Sequence, residues 1–250
     1  VNLHLPRPEI RRRTVLRGGL LGGTLAMACA QAACATDTAP DPSGSTTTGP
    51  AGPTTSASPP SPSPSSGSAR VLVVYYSRPG ENYYYGDRID LEVGNTQVLA
   101  GVIGNRLDDL GVEHDVHRLE AANPYPDDYD ATVARNSDEQ DADARPGLAN
   151  PLDSVEGYDA VLTGSPIWNI RPPMLMRTFA EAHDFTATTV HPFVTYAVSG
   201  LGTAEDAYAA ACPGADIGAG LAVRGETVRE DAPAAVADWL DQMNLPGRRS

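Results

Sequence analysis

From residue 70 onward the chain alternates short apolar runs with longer amphipathic stretches, and this alternation constrains the fold more than any other feature. Val71-Leu72-Val73-Val74-Tyr75-Tyr76 is an unbroken run of β-branched, aliphatic and aromatic residues, the pattern of a strand buried on both faces. Thr96 to Leu110 sets Val98, Leu99, Val102, Ile103, Leu107 and Leu110 at helical spacing, with Gly111 as a stop. Glu113 to Leu119 alternates around Val116 as a shorter strand, and Tyr129 to Gln140 is a polar helical stretch. Tyr158 to Ser165 contains a third strand, Pro173 to Ala182 a helix, and Val190 to Val198 a fourth strand. Thr203 is placed to cap a helix over Ala204 to Cys212, with Asp206 in the reciprocal capping position. Ile217 to Val223 is a weaker, glycine-interrupted fifth strand, and Asp231 is placed to cap a last helix carrying Val236, Trp239, Leu240 and Met243. Strand alternating with helix predicts an α/β fold: a five-stranded parallel sheet between two layers of helices. Ligands of such sheets sit beyond the carboxyl ends of the strands, so the loops after strands one, three and four are the places to seek chemistry.

The segment before residue 70 has a different character. Arg11-Arg12-Arg13-Thr14-Val15-Leu16-Arg17 resembles a twin-arginine export signal, and the short apolar run Gly18 to Ala28 follows. That run is shorter than the roughly 20 residues a membrane-spanning helix needs. Three ends to the signal are open: a lipoprotein box at Cys29, a poorer one at Cys34, or plain cleavage after an A-x-A pattern. Lipidation at Cys29, with Cys34 as the alternative, is the expectation. Residues 1–34 thus read as a signal peptide and residues 35–69 as a linker. From Asp37 to Ala69 the linker has no Val, Ile, Leu, Met or aromatic residue, so it cannot bury enough apolar surface to offset chain entropy. It is expected to be an extended tether for the domain at residues 70–246. The implied location is exported, either anchored to the cell membrane or secreted.

Charge excludes one class of partner. Five arginines and three acids precede Arg70; from Arg70 onward there are 13 arginines and 29 acids, a net charge of −16. Such a surface repels phosphate backbones, so nucleic acid is not an expected partner. It suits solubility, or a basic partner protein. Of the three cysteines only Cys212 falls in the domain, which leaves no internal disulfide and no cysteine-based metal site there. It reads as a small buried hydrophobe near a helix end. His114 and His117, three apart on a strand, face opposite sides and make a metal site improbable. No G-x-S-x-G elbow accompanies the serines and histidines.

The strand-end loops carry a family resemblance. Ser77-Arg78-Pro79-Gly80-Glu81-Asn82 follows the first strand, and Gly94-Asn95-Thr96 opens the next helix after an intervening stretch that contains Tyr83, Tyr84 and Tyr85. Gly164-Ser165-Pro166-Ile167-Trp168-Asn169 follows the third strand, and Ser199-Gly200-Leu201-Gly202-Thr203 the fourth. Alone, G-N-T also serves turns, Trp168 also suits a core anchor, and S-G-L-G also suits a strand-to-helix turn. In this order they resemble the flavodoxin-like proteins, in a subfamily with about a dozen residues inserted between S-R-P-G-E-N and G-N-T. Asn123 to Asp130 is similar to a P-Y-P-x-D-Y stretch of that subfamily, without a chemical role read from it.

The resemblance implies bound FMN. Ser77, Arg78, Gly94, Asn95 and Thr96 would hold its phosphate with hydroxyls, close backbone amides and a helix N-terminus. Pro166, Ile167, Trp168 and Asn169 would back the flavin ring, and Ser199, Gly200 and Gly202 would wrap its other side. Asn169-Ile170 departs from the family's W-G, which bears on one stacking contact. The implied activity is electron transfer, or flavin-dependent reduction of a redox partner protein or small electron acceptor. The alternative from another class is an FMN-free cell-surface binding lipoprotein on the same fold.

Overall fold

The computed structural model describes residues 70–243 and 245, all within one compact unit; the signal, the tether, Cys29 and Cys34 lie outside the described residues. In chain order the elements are β1 (Arg70–Tyr75), β2 (Gly80–Tyr84), β3 (Asp87–Leu91), α1 (Asn95–Leu110), β4 (Glu113–Arg118), α2 (Tyr129–Asp141), β5 (Ala160–Pro166), α3 (Met174–Glu181), β6 (Thr189–Tyr196), α4 (Ala204–Ala211), β7 (Asp216–Ile217), β8 (Leu221–Arg224) and α5 (Val228–Gln242). The main sheet runs β4-β1-β5-β6, and its fifth position is shared by β7 and β8, both parallel to β6. The order reverses beside β1, where the chain crosses from β4 on one flank to β5 on the other. A crevice opens there at the carboxyl ends of the strands.

Strand alternation divides β1 between two cores. Val71, Val73 and Tyr75 pack with Leu99, Ile103 and Leu107 of α1 and with Val236 and Leu240 of α5. Leu72, Val74 and Tyr76 pack on the other face with Leu175 and Phe179 of α3 and Tyr208 of α4. Val71, Val73, Val74, Leu99, Leu162, Phe179 and Phe193 are wholly buried, which accounts for strands that read as unbroken apolar runs. Helix α1 ends as expected: Gly111 is left-handed at φ 66°, Val112 N–H reaches Leu107 O at 3.0 Å, and Gly111 N–H reaches Asp108 O at 2.9 Å.

Three local expectations need correction. Thr203 does not cap α4: its hydroxyl donates to the carbonyl of Ile170 at 3.3 Å, and Asp206 closes no reciprocal bond. Asp231 does not cap α5, which starts at Val228 after a one-turn 3-10 segment; Asp231 sits in the first turn and accepts from Thr227 Oγ1 at 2.5 Å. The stretch after S-R-P-G-E-N, which sequence patterning left unassigned, is the β2–β3 hairpin. Its two-residue turn, Tyr85-Gly86, has φ 49° and 94°, the double positive φ that matches strand twist. The fifth strand breaks at Gly218-Ala219. The carbonyl of Ala219 accepts from Trp239 Nε1 at 2.9 Å and lies 3.3 Å from His191 Nδ1, so side chains take the place of a ladder partner.

Candidate cofactor site

The crevice is built from the ends of β1, β5, β6 and β8 and the start of α1. Its lining includes Ser77, Asn95, Thr96, Pro166, Ile167 and Trp168, all of them candidates from the sequence. It also includes Asn82 and Tyr83 of the hairpin, Tyr129 at the start of α2, Thr195 of β6, and Glu226 after β8. Asn82 closes the S-R-P-G-E-N motif and Tyr83 follows it, whereas Tyr129, Thr195 and Glu226 lie outside the loop motifs and are brought in by the folded topology. Enclosed space is about 90 Å³, enough for a phosphate and part of a chain of hydroxyls. A larger ligand has to continue across the open rim.

The donor-rich end of the crevice follows from how α1 begins. Gly94 caps the helix without a side chain, and a Cβ there would stand 2.4 Å from both Ser77 Oγ and the carbonyl of Arg78. Only glycine lets the two loop segments meet this closely. Asn95 and Thr96 are the first two helical residues, so their amides have no intrahelical acceptor and carry the positive end of the helix dipole. Ser77 Oγ accepts from Gln97 N–H at 3.0 Å, which leaves its own proton to donate. Thr96 Oγ1 and Thr195 Oγ1 are 2.7 Å apart and nearly fully buried; two hydroxyls sharing one hydrogen bond leave one donor proton for a third group. Arg229 reaches the outer side of the same turn, donating to Asn95 Oδ1 at 3.1 Å and to the carbonyl of Val93 at 3.3 Å. It adds a cation that no loop motif announced.

Glu226 is the acceptor in an otherwise donor-rich lining. Both its carboxylate oxygens are buried and have no hydrogen-bond partner among the described residues. An ionised carboxylate only accepts, so it calls for donors such as hydroxyls. Donors at one end and an orphaned acceptor in the same crevice fit a phosphate ester of a polyhydroxylated chain.

The ring-binding candidates divide. Trp168 lines the crevice but also packs into the core, edge-on to Tyr76 at 5.9 Å and to Tyr125 at 5.1 Å between ring centres. Trp168 is thus anchored in the core by its aromatic neighbours while part of it borders the crevice. Asn169 and Ile170 form a two-residue turn at φ 48° and 63°, closed by Trp168 N–H to Arg171 O at 2.9 Å and Arg171 N–H to Trp168 O at 3.1 Å. The turn keeps a left-handed backbone without glycine. Asn169 turns to Gln140, donating to its Oε1 at 2.9 Å. Ser199, Gly200 and Gly202 do not line the enclosed part of the crevice. Gly202 N–H is taken by the carbonyl of Ser199, and Gly202 packs against the carbonyl of Ile170, where a Cβ would fall at 2.2 Å. Thr203 N–H donates to that same carbonyl at 2.8 Å, so the two loops are fastened to each other.

Arg78 faces away from the crevice's donors. Its Nη1 donates to the carbonyls of Pro126 and Asp127, both at 2.8 Å, and its Nη2 to that of Glu81. Here Asn123–Asp130 acquires a role. Glu81 N–H donates to Asp127 O at 2.8 Å, Glu81 Oε2 accepts from Tyr129 N–H at 3.1 Å, and Asp128 caps α2 through Ala131 N–H at 2.7 Å. The stretch braces the loop after β1 and brings Tyr129 to the crevice wall. His114 Nδ1 stays at its own strand near Val112 O and His117 Nε2 near Asn150 O, and no group of metal ligands forms among the described residues.

No curated protein matches the chain. Among solved structures, a provisionally described flavoprotein of Bacteroides uniformis is 25% identical with a TM-score of 0.53, covering 70% of this chain and 99% of its own. A second, from Bacteroides eggerthii, is 25% identical with a TM-score of 0.54, covering 70% and 97%. A Lactobacillus acidophilus flavoprotein solved in complex with FMN shows a weaker likeness, 18% identical with a TM-score of 0.45, over 66% of this chain and 98% of its own. The sequence model of the flavodoxins matches residues 97–243, more than half of the chain, and the protein belongs to the flavodoxin family.

Proposed function

We propose that the crevice holds FMN and that the protein moves electrons through it, as an electron carrier or a flavin-dependent reductase outside the cytoplasm. The observation that carries this reading is the pairing of phosphate donors with Glu226 at the carboxyl ends of β1, β5 and β6. FMN, when bound, supplies the redox chemistry; the protein binds, orients and tunes it. Ser77, the Thr96–Thr195 pair and the α1 amides anchor the phosphate, and Glu226 accepts from the sugar-alcohol chain. Trp168, held by Tyr76 and Tyr125, offers one face of the ring site. Glu226 and the acidic surface disfavour negative charge building on a bound flavin as it takes up electrons, which lowers its reduction potential.

The acidic domain and the basic, apolar N-terminus support a setting outside the cytoplasm, with the domain tethered near a membrane by a lipidated cysteine and meeting a basic redox partner. Flavin content and reactivity test the reading together. Protein purified from a flavin-replete host should be yellow and contain FMN. Once reduced, it should be reoxidised by a basic haem protein at a rate that falls as salt rises. A protein that stays colourless after incubation with FMN refutes the cofactor assignment and favours the FMN-free binding protein. A yellow protein that passes electrons only to small quinones or nitro compounds is a reductase rather than a carrier.

A further inference from the structure

Behind the loop after β1 lies a second cavity, of about 230 Å³, on the side away from the α1 N-terminus. Its walls include Tyr76, Arg78, Arg118 at the end of β4, and Tyr125. Arg78 is only 7% exposed, and its Nε–H is buried without a partner. Arg118 donates one bond, from Nη2 to the carbonyl of Ser77 at 3.4 Å, and its Nε–H is likewise buried and unpartnered. Neither guanidinium forms an ion pair among the described residues. Glu120 and Asp127 also line the cavity; both are exposed, and Asp127 and Glu81 are near enough to act on the Arg78 charge.

Two guanidiniums with unpartnered Nε–H groups lining one cavity are unexpected in a chain whose part from Arg70 onward carries net charge −16, where carboxylates are abundant as partners. A buried N–H left unpaired costs about 1–3 kcal/mol, so each calls for an acceptor. At about 230 Å³ the cavity has room for a small oxyanion. An anion suits these donors best, because arginine stays protonated and a charged acceptor makes the stronger hydrogen bond. The Tyr76 hydroxyl, within reach of the charges of Arg78, Arg135 and Arg118 and of the opposing carboxylate of Glu139, can supply a further donor. We propose that the cavity between Arg78, Arg118 and Tyr76 is a binding site for a small oxyanion, separate from the cofactor crevice.

The site shares a wall with that crevice, since Ser77 and Arg78 border both. Arg118 borders only the second cavity, and so it isolates the proposal from the cofactor reading. Sulfate serves as the probe, with the full chain at saturating FMN and chloride at matched ionic strength as control. Sulfate should raise the thermal midpoint saturably beyond chloride, and calorimetry should give one site per chain. Arg118→Gln should weaken sulfate binding tenfold or more, as expected for loss of a charged hydrogen-bond donor, while FMN affinity stays within about threefold. If that variant does not fold, Arg118→Lys keeps the charge but loses the Nε–H, and Tyr76→Phe removes only a hydroxyl; at least one should weaken sulfate. The proposal is overturned if sulfate acts no differently from chloride, if the folded variants bind it like the parent, or if FMN displaces it. Should the chain bind no FMN, the same comparison without flavin still decides, because Arg118 does not border the crevice.

Discussion

At the scale of single residues, the site separates side chains that meet a ligand from those that hold the loops in place. Ser77 and Thr96 are proposed to be of the first kind; each lies within the crevice with a proton to give or to share. Toward the cofactor crevice Arg78 is of the second kind, its terminal nitrogens bound to carbonyls of two other segments. Thr96→Ala therefore removes one half of the Thr96–Thr195 pair and should weaken FMN binding about tenfold, since a hydrogen bond to a charged group contributes roughly 1.5–3 kcal/mol. Riboflavin, which lacks the phosphate, should lose little affinity; fluorescence titration of both ligands makes the comparison. Cys212 is 2% exposed, and burial pushes its thiol up to about 12. It should stay unreactive toward a thiol reagent at pH 8 in the folded domain and react fully once the domain is unfolded in denaturant.

At the scale of elements, local conflict marks the ring-binding loop. Ile170 holds φ 63°, a left-handed conformation that costs a β-branched residue roughly 1–2 kcal/mol, and its side chain is 51% exposed, so packing returns little of that. Ile170→Gly, which makes the turn Asn-Gly, is expected to stabilise the domain by about 1 kcal/mol, after the greater freedom of glycine in the unfolded chain is subtracted. Chemical denaturation measures it; an unchanged or lower midpoint would mean that the exposed side chain contributes to folding in a way its surroundings do not show.

The same elements show what sequence can and cannot reveal. The five strand positions and five helices were legible because β1, β5 and β6 are apolar throughout and α1 and α5 are periodic; both patterns are direct imprints of burial. The β2–β3 hairpin was not legible: its strands are polar or half-exposed, and its turn is Tyr-Gly rather than Asn-Gly. The caps at Thr203 and Asp231 were misplaced because a hydroxyl near a helix start has alternatives to capping; Thr203 found the carbonyl of Ile170, a partner 33 residues away. Glu226 and Arg229 escaped for a related reason, since the last crossover brings them to α1 from more than 100 residues downstream and no local pattern signals that meeting.

At the scale of the molecule, the acidic charge and two half-buried histidines set the response to pH. Burial holds His191 and His183 below the ordinary value of 6.5, in His191 against the opposing pull of the Ala219 carbonyl. Both are thus favoured as neutral rings when folded. Their contribution is fully present above about 6.5 and is lost as pH falls through their lower folded values, because the unfolded chain takes up protons first. Unfolding free energy should accordingly decline between pH 7 and pH 5, and replacing both histidines with Gln should flatten that decline. A slope unchanged in the double variant would assign it to carboxylates instead.

The whole account turns on whether the crevice takes a phosphate-bearing flavin. The most direct measurement is fluorescence quenching during titration of the flavin-free full chain with FMN, riboflavin and FAD in parallel. FMN should bind at one per chain, and riboflavin at least tenfold more weakly, because the donors around Asn95 and Thr96 then lack their anion. Equal affinity for FMN and riboflavin, or no saturable quenching by any of the three, would contradict it.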